Sequence, residues 1–313
     1  MHIKINLVGS FVTVQISEED TVADVIKRIL VKREIPEQYY VVCSLIEKQF
    51  GDYGELLQHS AKIAPYVSCY LKFQIIRLFQ SDEMYLVNDQ FLQLAQQQIH
   101  RLIRYNLWLC SYQIACQLAT CQCYINFGSY KQQKHGFLTN VMSALVSKQH
   151  LTANQNAQQD ILTQWKLLGK SINPLALYLQ ISSNLHQFGT QILECTLISS
   201  NIEYMGVKCL LSISPFRTVV ISSECTLLYC DLNEVQIVID ANDQRFKLIG
   251  TQEFEFQSAN IKKFIQVIQF LKDSSRDYKF IQKEPSIQTQ FIECSDVSNT
   301  GSVVVYDDQS SDY

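Results

Sequence analysis

Residues 2–16 read HIKINLVGSFVTVQI. Two runs in this stretch, 2–8 and 11–16, alternate apolar and polar side chains, and Gly9 and Ser10 lie between them. Alternation with a period of two is typical of strands, and a short Gly-containing break between two such runs is typical of a β-hairpin. The sequence therefore predicts that the fold begins with a hairpin.

A helix is predicted to follow the hairpin. Thr21 is a suitable N-cap, and the pattern stops before Pro36. The apolar positions between them have helical spacing: Val22, Val25, Ile26, Ile29 and Leu30. Further strand-like runs occur at 39–42 and 68–73. This order is that of a ubiquitin-like β-grasp lobe, which we place at residues 1–81.

The character of the sequence changes near Asp82. From there the chain is rich in Leu, Gln and Ala with helical periodicity and little β-branched alternation. Pro174 opens the last of these helices, which ends at Gly189. We therefore predict a helical bundle over residues 82–189.

Alternation returns after Gly189, in short runs between 202 and 249. The last ordered element is a predicted helix over 258–271, with Ser258 as its N-cap. Many short strands closed by one helix are typical of a pleckstrin-homology or phosphotyrosine-binding type (PH/PTB-like) β sandwich, here residues 190–280.

Composition and charge exclude several classes of protein. The 313 residues are 47% hydrophobic, which is enough for a real core, and the net charge of −4 does not predict nucleic acid as a partner. No apolar run reaches the roughly 18 residues that a bilayer span requires. Residues 281–313 carry one basic and six acidic side chains and are predicted to form an acidic, disordered tail.

The eleven cysteines do not predict a disulfide framework. Their number is odd, and the N-terminus lacks the features of a signal peptide. We expect reduced thiols that serve as small buried hydrophobes in a cytosolic protein.

Four motifs resemble those of the FERM module of ezrin, radixin, moesin, merlin, talin and band 4.1. They are LKFQ at 71–74 followed by RLFQSDE at 77–83, FGSY at 127–130 with HGFL at 135–138, ALYL at 176–179, and YMGV at 204–207. Their order and spacing match the family over about residues 1–280. The resemblance implies an α+β, three-lobed cloverleaf: a ubiquitin-like lobe, a helical lobe like acyl-CoA-binding bundles, and the PH/PTB-like lobe.

The resemblance also implies a function. FERM modules are non-catalytic adaptors, so we expect binding to cytoplasmic tails of membrane proteins or to a phosphoinositide membrane surface at the cell cortex, with cytoskeletal proteins reached indirectly. Two alternatives stay open: an endosomal trafficking adaptor for receptor tails, and a regulatory arm that acts with a separate enzyme. Retained acyl-CoA binding by the helical lobe is a further idea without a specific residue to support it.

No motif predicts catalysis or a cofactor. Gly169-Lys170-Ser171 ends like a phosphate-binding loop, but position 164 is Gln where that motif needs Gly. The nearest approach to a metal site is a set of cysteines not far from His135: Cys110, Cys116, Cys121 and Cys123. Their spacing is irregular for zinc, so buried thiols are favoured over a metal site.

Basic residues give the candidate lipid contacts. Arg28 and Lys32 share a face of the first helix, with Lys27 and Arg33 beside it. A solvated helix surface, with Asp24 paired to Arg28, is the alternative. The resemblance adds Lys62. Lys262 and Lys263 on the predicted last helix are further candidates, which would partly replace the lysines that ezrin-like members carry just before that helix. The segment 250–253 lacks the lysines of ezrin-like members, which argues against their inositol-lipid pocket.

The sandwich lobe gives the candidate peptide site. An extended peptide can add as a strand beside the last helix. The helix wall of this groove is predicted to consist of Ile261, Phe264, Ile265 and Ile268.

Overall fold

The structure is a computed structural model. It describes residues 1–47, 55–76, 88–130, 137–169, 172–185, 187–200, 206–214, 217–222, 226–231, 236–240, 244–250, 253–259, 261, 265–268 and 270. The chain divides into two compact units. The first comprises Met1–Phe79, Asn88–Arg101 and His186–Tyr278, and the second Gln80–Val87, Leu102–Leu185 and Lys279–Tyr313. The first unit contains both β-sheets of the described residues.

The first sheet is a five-stranded mixed sheet in the order β2-β1-β5-β3-β4. Its strands are β1 (His2–Leu7), β2 (Ser10–Gln15), β3 (Cys43–Glu47), β4 (Glu55–Leu56) and β5 (Leu71–Ile75). β1 and β2 form the predicted antiparallel hairpin, and β5 lies parallel to β1. The confirmed hairpin thus joins a sheet that also includes residues more than 60 positions later in the chain.

Helix α1 (Val22–Lys32) begins where the sequence predicted. The Thr21 hydroxyl accepts a hydrogen bond from the Asp24 N–H, and the Asp24 carboxylate accepts one from the Thr21 N–H. This reciprocal capping box satisfies two N–H groups that the helix itself leaves unpaired. All five predicted apolar positions of the helix are fully buried.

The next helix along the chain is α2 (Asp89–Arg104), whose residues up to Arg101 belong to the first unit. The second unit contains α3 (Tyr112–Phe127), α4 (Phe137–Leu145), α5 (Lys148–Ala153), α6 (Ala157–Leu167) and α7 (Pro174–Ser183). Trp165 is fully buried in a core that α3, α4 and α6 share. No helix of the described residues is long and apolar enough to cross a bilayer.

The second sheet has seven antiparallel strands in the order β10-β11-β12-β6-β7-β8-β9. They are β6 (Gln191–Ser200), β7 (Lys208–Ile213), β8 (Arg217–Ser222), β9 (Thr226–Asp231), β10 (Gln236–Asp240), β11 (Arg245–Ile249) and β12 (Glu253–Gln257). β6 and β12 were not predicted from the sequence. The first strand of this lobe was expected at 202–207, of which 202–205 lie outside the described residues. After β12, residues 261, 265–268 and 270 are helical.

Within the first unit, the two sheets share one apolar core. Ile46 and Leu56 of the first sheet, with Ile76 after β5, join the cluster built on Leu211 and Phe254 of the second sheet. These contacts lie at the β3 and β4 side of the first sheet, and β2 is the terminal strand at its other side.

Polar contacts also connect the two sheets. The Gln191 side chain donates to the carbonyl of Ile76 over 2.7 Å, and its oxygen accepts from the Gln74 side chain over 2.8 Å. Buried carboxamides need hydrogen-bond partners, and these bonds supply them for Gln191. The same bonds hold the two sheets in a fixed position relative to each other.

Candidate functional site

Arg28 on the basic face of α1 is held in an ion pair. Its guanidinium donates to both carboxylate oxygens of Asp20, over 2.5 and 2.8 Å, and to the carbonyl of Gln15. This bidentate contact, with a backbone bond from Ser17, lowers the pKa of Asp20 to about 2. Asp24, the partner expected from sequence, is instead the capping carboxylate of α1.

The other three cations of this face contact neutral groups. Lys32 donates to the carbonyl of Thr13, and Arg33 to the hydroxyl of Ser10. The Lys27 ammonium lies 4.4 Å from the ring centre of Tyr40, a cation–π distance. These contacts hold the side chains in place without cancelling their charge.

Lys62 is held differently. Its ammonium donates to the Glu19 carboxylate over 2.6 Å and to the Glu19 carbonyl over 2.7 Å, and the contact lowers the pKa of Glu19. The structure thus places Lys62 at the beginning of α1, where Thr21 pairs with it in an isolated bridge. Lys262 and Lys263 lie outside the described residues.

β10 provides the strand edge expected for the peptide groove. Among the strands that the structure describes, it is a terminal strand of the second sheet and pairs with β11. Val238 at its centre is 43% exposed, which is high for a large apolar side chain in a strand. Unpaired N–H and C=O groups on such an edge are the usual template for an added strand.

The helical residues near this lobe divide into two groups. Ile261 is 2% exposed and lies in the core, which removes it from the expected groove wall. Ile265 and Ile268 are half-buried, and Ile268 packs against that core. Phe264 lies outside the described residues. Among the described residues, Ile265 and Ile268 are the members of the expected wall that keep exposed surface, and Phe264 stays a prediction.

These helical residues are also attached to the first sheet. The Gln266 side-chain oxygen accepts from the Leu56 N–H over 3.1 Å. The Phe270 ring meets His59 edge to face at 5.2 Å, and burial lowers the pKa of His59. Sequence inspection missed both contacts, because nothing local links residues about 210 positions apart.

The exposed side of β11 and β12 is electrically balanced. Lys247 pairs with Glu253 at 3.0 Å and with Glu255 at 4.0 Å, and Arg245 pairs with Glu255 at 3.7 Å. Lys247 and Arg245 are therefore each paired with a carboxylate.

The described cysteines of the second unit are free thiols, of which Cys116, Cys121 and Cys123 are buried and Cys110 is half-buried. Burial raises the pKa of Cys110, Cys121 and Cys123 to about 12 each. The nearest imidazole in the described part is that of His150, 3.9 Å from the Cys110 sulfur, while His135 lies outside it. No three His, Cys, Asp or Glu side chains of the described residues are placed to hold a metal ion.

Solved structures share this architecture. The FERM and C-terminal domain complex of Drosophila Merlin matches with a TM-score of 0.67 and 13% identity, over 88% of this chain and 95% of that one. The human myosin 7b C-terminal MyTH4-FERM domain, in complex with the harmonin-a PDZ3 domain, matches at 0.68 and 13%, over 87% and 60%. The Dictyostelium myosin VII MyTH4-FERM MF2 domain matches at 0.65 and 14%, over 88% and 58%.

This chain has the FERM fold. The likeness lies in structure alone, because no protein-family profile and no curated protein matches the sequence. The chain spans about three-fifths of the matched myosin chains and nearly all of the Merlin chain. The FERM resemblance read from the four sequence motifs is confirmed at the level of the fold.

Within the FERM fold, two side chains of the candidate sites had no signal in the sequence. Asp20 lies in an acidic run that resembles a solvated loop, yet it is buried against Arg28. Val238 belongs to a strand whose alternation is visible, but only the strand order shows that this strand is terminal. A contact between distant segments and a place in a sheet are properties that local periodicity does not contain.

Proposed function

We propose that this chain is a non-catalytic adaptor that binds an extended segment from the cytoplasmic tail of a membrane protein. The segment adds to the edge of β10, next to the helical residues 265–268. The terminal position of β10, with the exposed Val238 at its centre, is the observation that carries the proposal.

Strand addition suits the chemistry of this edge. The main chain of the incoming segment bonds to backbone groups that β10 directs away from β11, and alternate side chains fill pockets beside the strand. Ile265 and Ile268 are half-buried, so each retains apolar surface for such a side chain. The contacts of Gln266 and Phe270 with the first sheet stabilise this wall before any segment binds.

The FERM neighbours support a binding role. The Merlin structure contains a FERM domain with a C-terminal domain, and the myosin 7b structure contains a PDZ domain as partner. By analogy, we propose a ubiquitin-like lobe at 1–81, a helical lobe at 82–189 and a PH/PTB-like lobe at 190–280. We also propose that the chain acts on the cytoplasmic side of the plasma membrane, at the cortex. Cytoskeletal proteins are then reached through the bound partner.

An anionic membrane surface is the second candidate partner. Lys27, Lys32 and Arg33 contact only neutral groups in the bonds described above, so their charge is available to lipid headgroups. Each such cation contributes on the order of 1 kcal/mol near an anionic leaflet. Arg28 and Lys62 contribute less, because each already has a carboxylate beside it. Lys262 and Lys263 remain candidates on sequence grounds.

The test of the peptide proposal is selection from a displayed library of cytoplasmic-tail segments, followed by fluorescence polarisation with the selected peptides. Val238→Glu and Ile265→Glu are each expected to weaken binding at least tenfold. Phe11→Glu is the matched control, since Phe11 is 54% exposed on the other sheet. Equal loss in all three variants, or loss in none, contradicts the proposal. The identity of the selected tails then distinguishes an adaptor at the cell cortex from an endosomal trafficking adaptor.

A further inference from the structure

The terminal strand β2 of the first sheet has an unusual edge. The amine of Met1 donates to the carbonyl of Ile16, and the Ile16 N–H donates to the carbonyl of Met1, both over 2.9 Å. In an antiparallel pair, residues that exchange both bonds alternate with residues whose backbone groups point away. Phe11, Thr13 and Gln15 therefore direct their N–H and C=O groups outward, away from β1.

Two of these outward carbonyls are occupied by side chains of α1. Lys32 donates to the carbonyl of Thr13 over 2.7 Å, and Arg28 donates to the carbonyl of Gln15 over 2.8 Å. Arg33 adds a bond to the Ser10 hydroxyl at the start of the strand. The basic face of α1 thus covers the edge of β2 with charged side chains, a known means of blocking an edge strand.

The strand that these cations cover is suited to pairing with itself. Residues 10–16 read SFVTVQI, with no charged side chain, no proline and no glycine, which is the composition of segments that stack edge to edge. Antiparallel pairing centred on Thr13 places Phe11 of one copy opposite Gln15 of the other, so the contact is two-fold symmetric and closed.

We propose that the β2 edge is a pairing surface for a second copy of this chain and that Lys32 and Arg33, with Arg28, keep it closed in the monomer. Two mechanisms act together. The cations fill the carbonyls that the second strand needs, and the approach of two such edges brings like charges together. The inference is independent of the peptide site, which lies on the other sheet.

The test is sedimentation velocity of the full chain at about 1 to 100 µM, with circular dichroism to verify folding. The double variant Lys32→Ala with Arg33→Ala is expected to raise the self-association constant at least tenfold. The charge-conserving pair Lys32→Arg with Arg33→Lys is the matched control and should stay monomeric. Arg28 is left unchanged, because its ion pair with Asp20 supports the fold.

A second substitution locates the contact. Thr13→Pro, added to the alanine pair, removes an outward N–H at an edge position that tolerates proline, and it should restore the monomer. A monomeric alanine pair overturns the proposal, and so does a dimer that survives Thr13→Pro. If the alanine pair fails to fold, Lys32→Ala alone is measured in the same way and judged by the same outcomes.

Discussion

The carboxamide of Gln98 pairs with the backbone of Ile75 in both directions. Its oxygen accepts from the Ile75 N–H over 3.0 Å, and its nitrogen donates to the Ile75 carbonyl over 2.8 Å. Gln98 lies on α2, and Ile75 is the last residue of β5. A neutral helix side chain here makes the two hydrogen bonds that a neighbouring strand would otherwise make.

Gln98→Leu should therefore destabilise the first unit. The change removes this partner from the buried Ile75 N–H and leaves the Ile75 carbonyl with the longer bond from the Gln191 side chain, over 3.4 Å. A buried backbone group without a partner costs roughly 1 to 3 kcal/mol. Urea unfolding is the measurement, and we expect a loss of about 2 kcal/mol or more. Gln97→Leu is the control, because Gln97 is exposed one position away on the same helix. Equal stability of the two variants would show that the pair contributes nothing.

Acid should weaken the fold through Asp20. Its folded pKa of about 2 lies below the ordinary value of 3.8, so the stabilisation is present above about pH 4 and is lost as the pH falls toward 2. Asp20→Asn removes that dependence and costs about 1 to 2 kcal/mol at neutral pH, since a charge-assisted bond is lost.

The urea midpoint measured between pH 2.5 and 7 tests this expectation. The difference in urea midpoint between wild type and Asp20→Asn should become smaller as the pH falls. A constant difference would mean that Arg28 does not select the ionised carboxylate. Asp24→Asn distinguishes the ion pair from helix capping, because Asp24 bonds to Thr21 rather than to Arg28.

Vesicle binding should depend on the cations that contact neutral groups. Lys27→Gln combined with Arg33→Gln is expected to lower co-sedimentation with phosphatidylserine vesicles several-fold, since two charges of about 1 kcal/mol each are lost. Lys62→Gln should have a much smaller effect, because Glu19 already accompanies that charge. Adding phosphatidylinositol bisphosphate tests for headgroup preference. Equal binding by all variants would exclude α1 from the membrane contact.

Thiol reactivity should follow burial. Cys43, Cys121 and Cys195 are buried, and burial raises the pKa of each thiol, so native alkylation should be slow. Cys69 is partly exposed and should be modified first among the described cysteines. Peptide mapping by mass spectrometry after brief iodoacetamide treatment gives the order. Rapid modification of Cys121 would contradict the packing of the second unit.

The sequence predicted those features that depend on local pattern. The β1–β2 hairpin follows from alternation, and the N-cap at Thr21 follows from residue type at the start of an apolar helical pattern. The buried face of α1 follows from its 3.6-residue period. The FERM resemblance, which rests on four short motifs, is confirmed at the level of the fold.

What the sequence did not predict depends on contacts between distant segments. β12 has the sequence EFEFQ, which alternates, yet the strand runs predicted from sequence end at residue 249. The roles of Arg28 and Lys32 were also incomplete. Their spacing shows a shared helix face, whereas their bonds to Gln15 and Thr13 depend on how α1 packs against β2.

The central claim is strand addition at β10, and hydrogen exchange of the chain with and without a selected peptide tests it most directly. Binding should slow exchange in residues 236–240 and 265–268, with little change in β2 or α3. The Val238→Glu variant, at the same peptide concentration, should show no such protection. Protection confined to the second unit, or to the first sheet, would contradict the account.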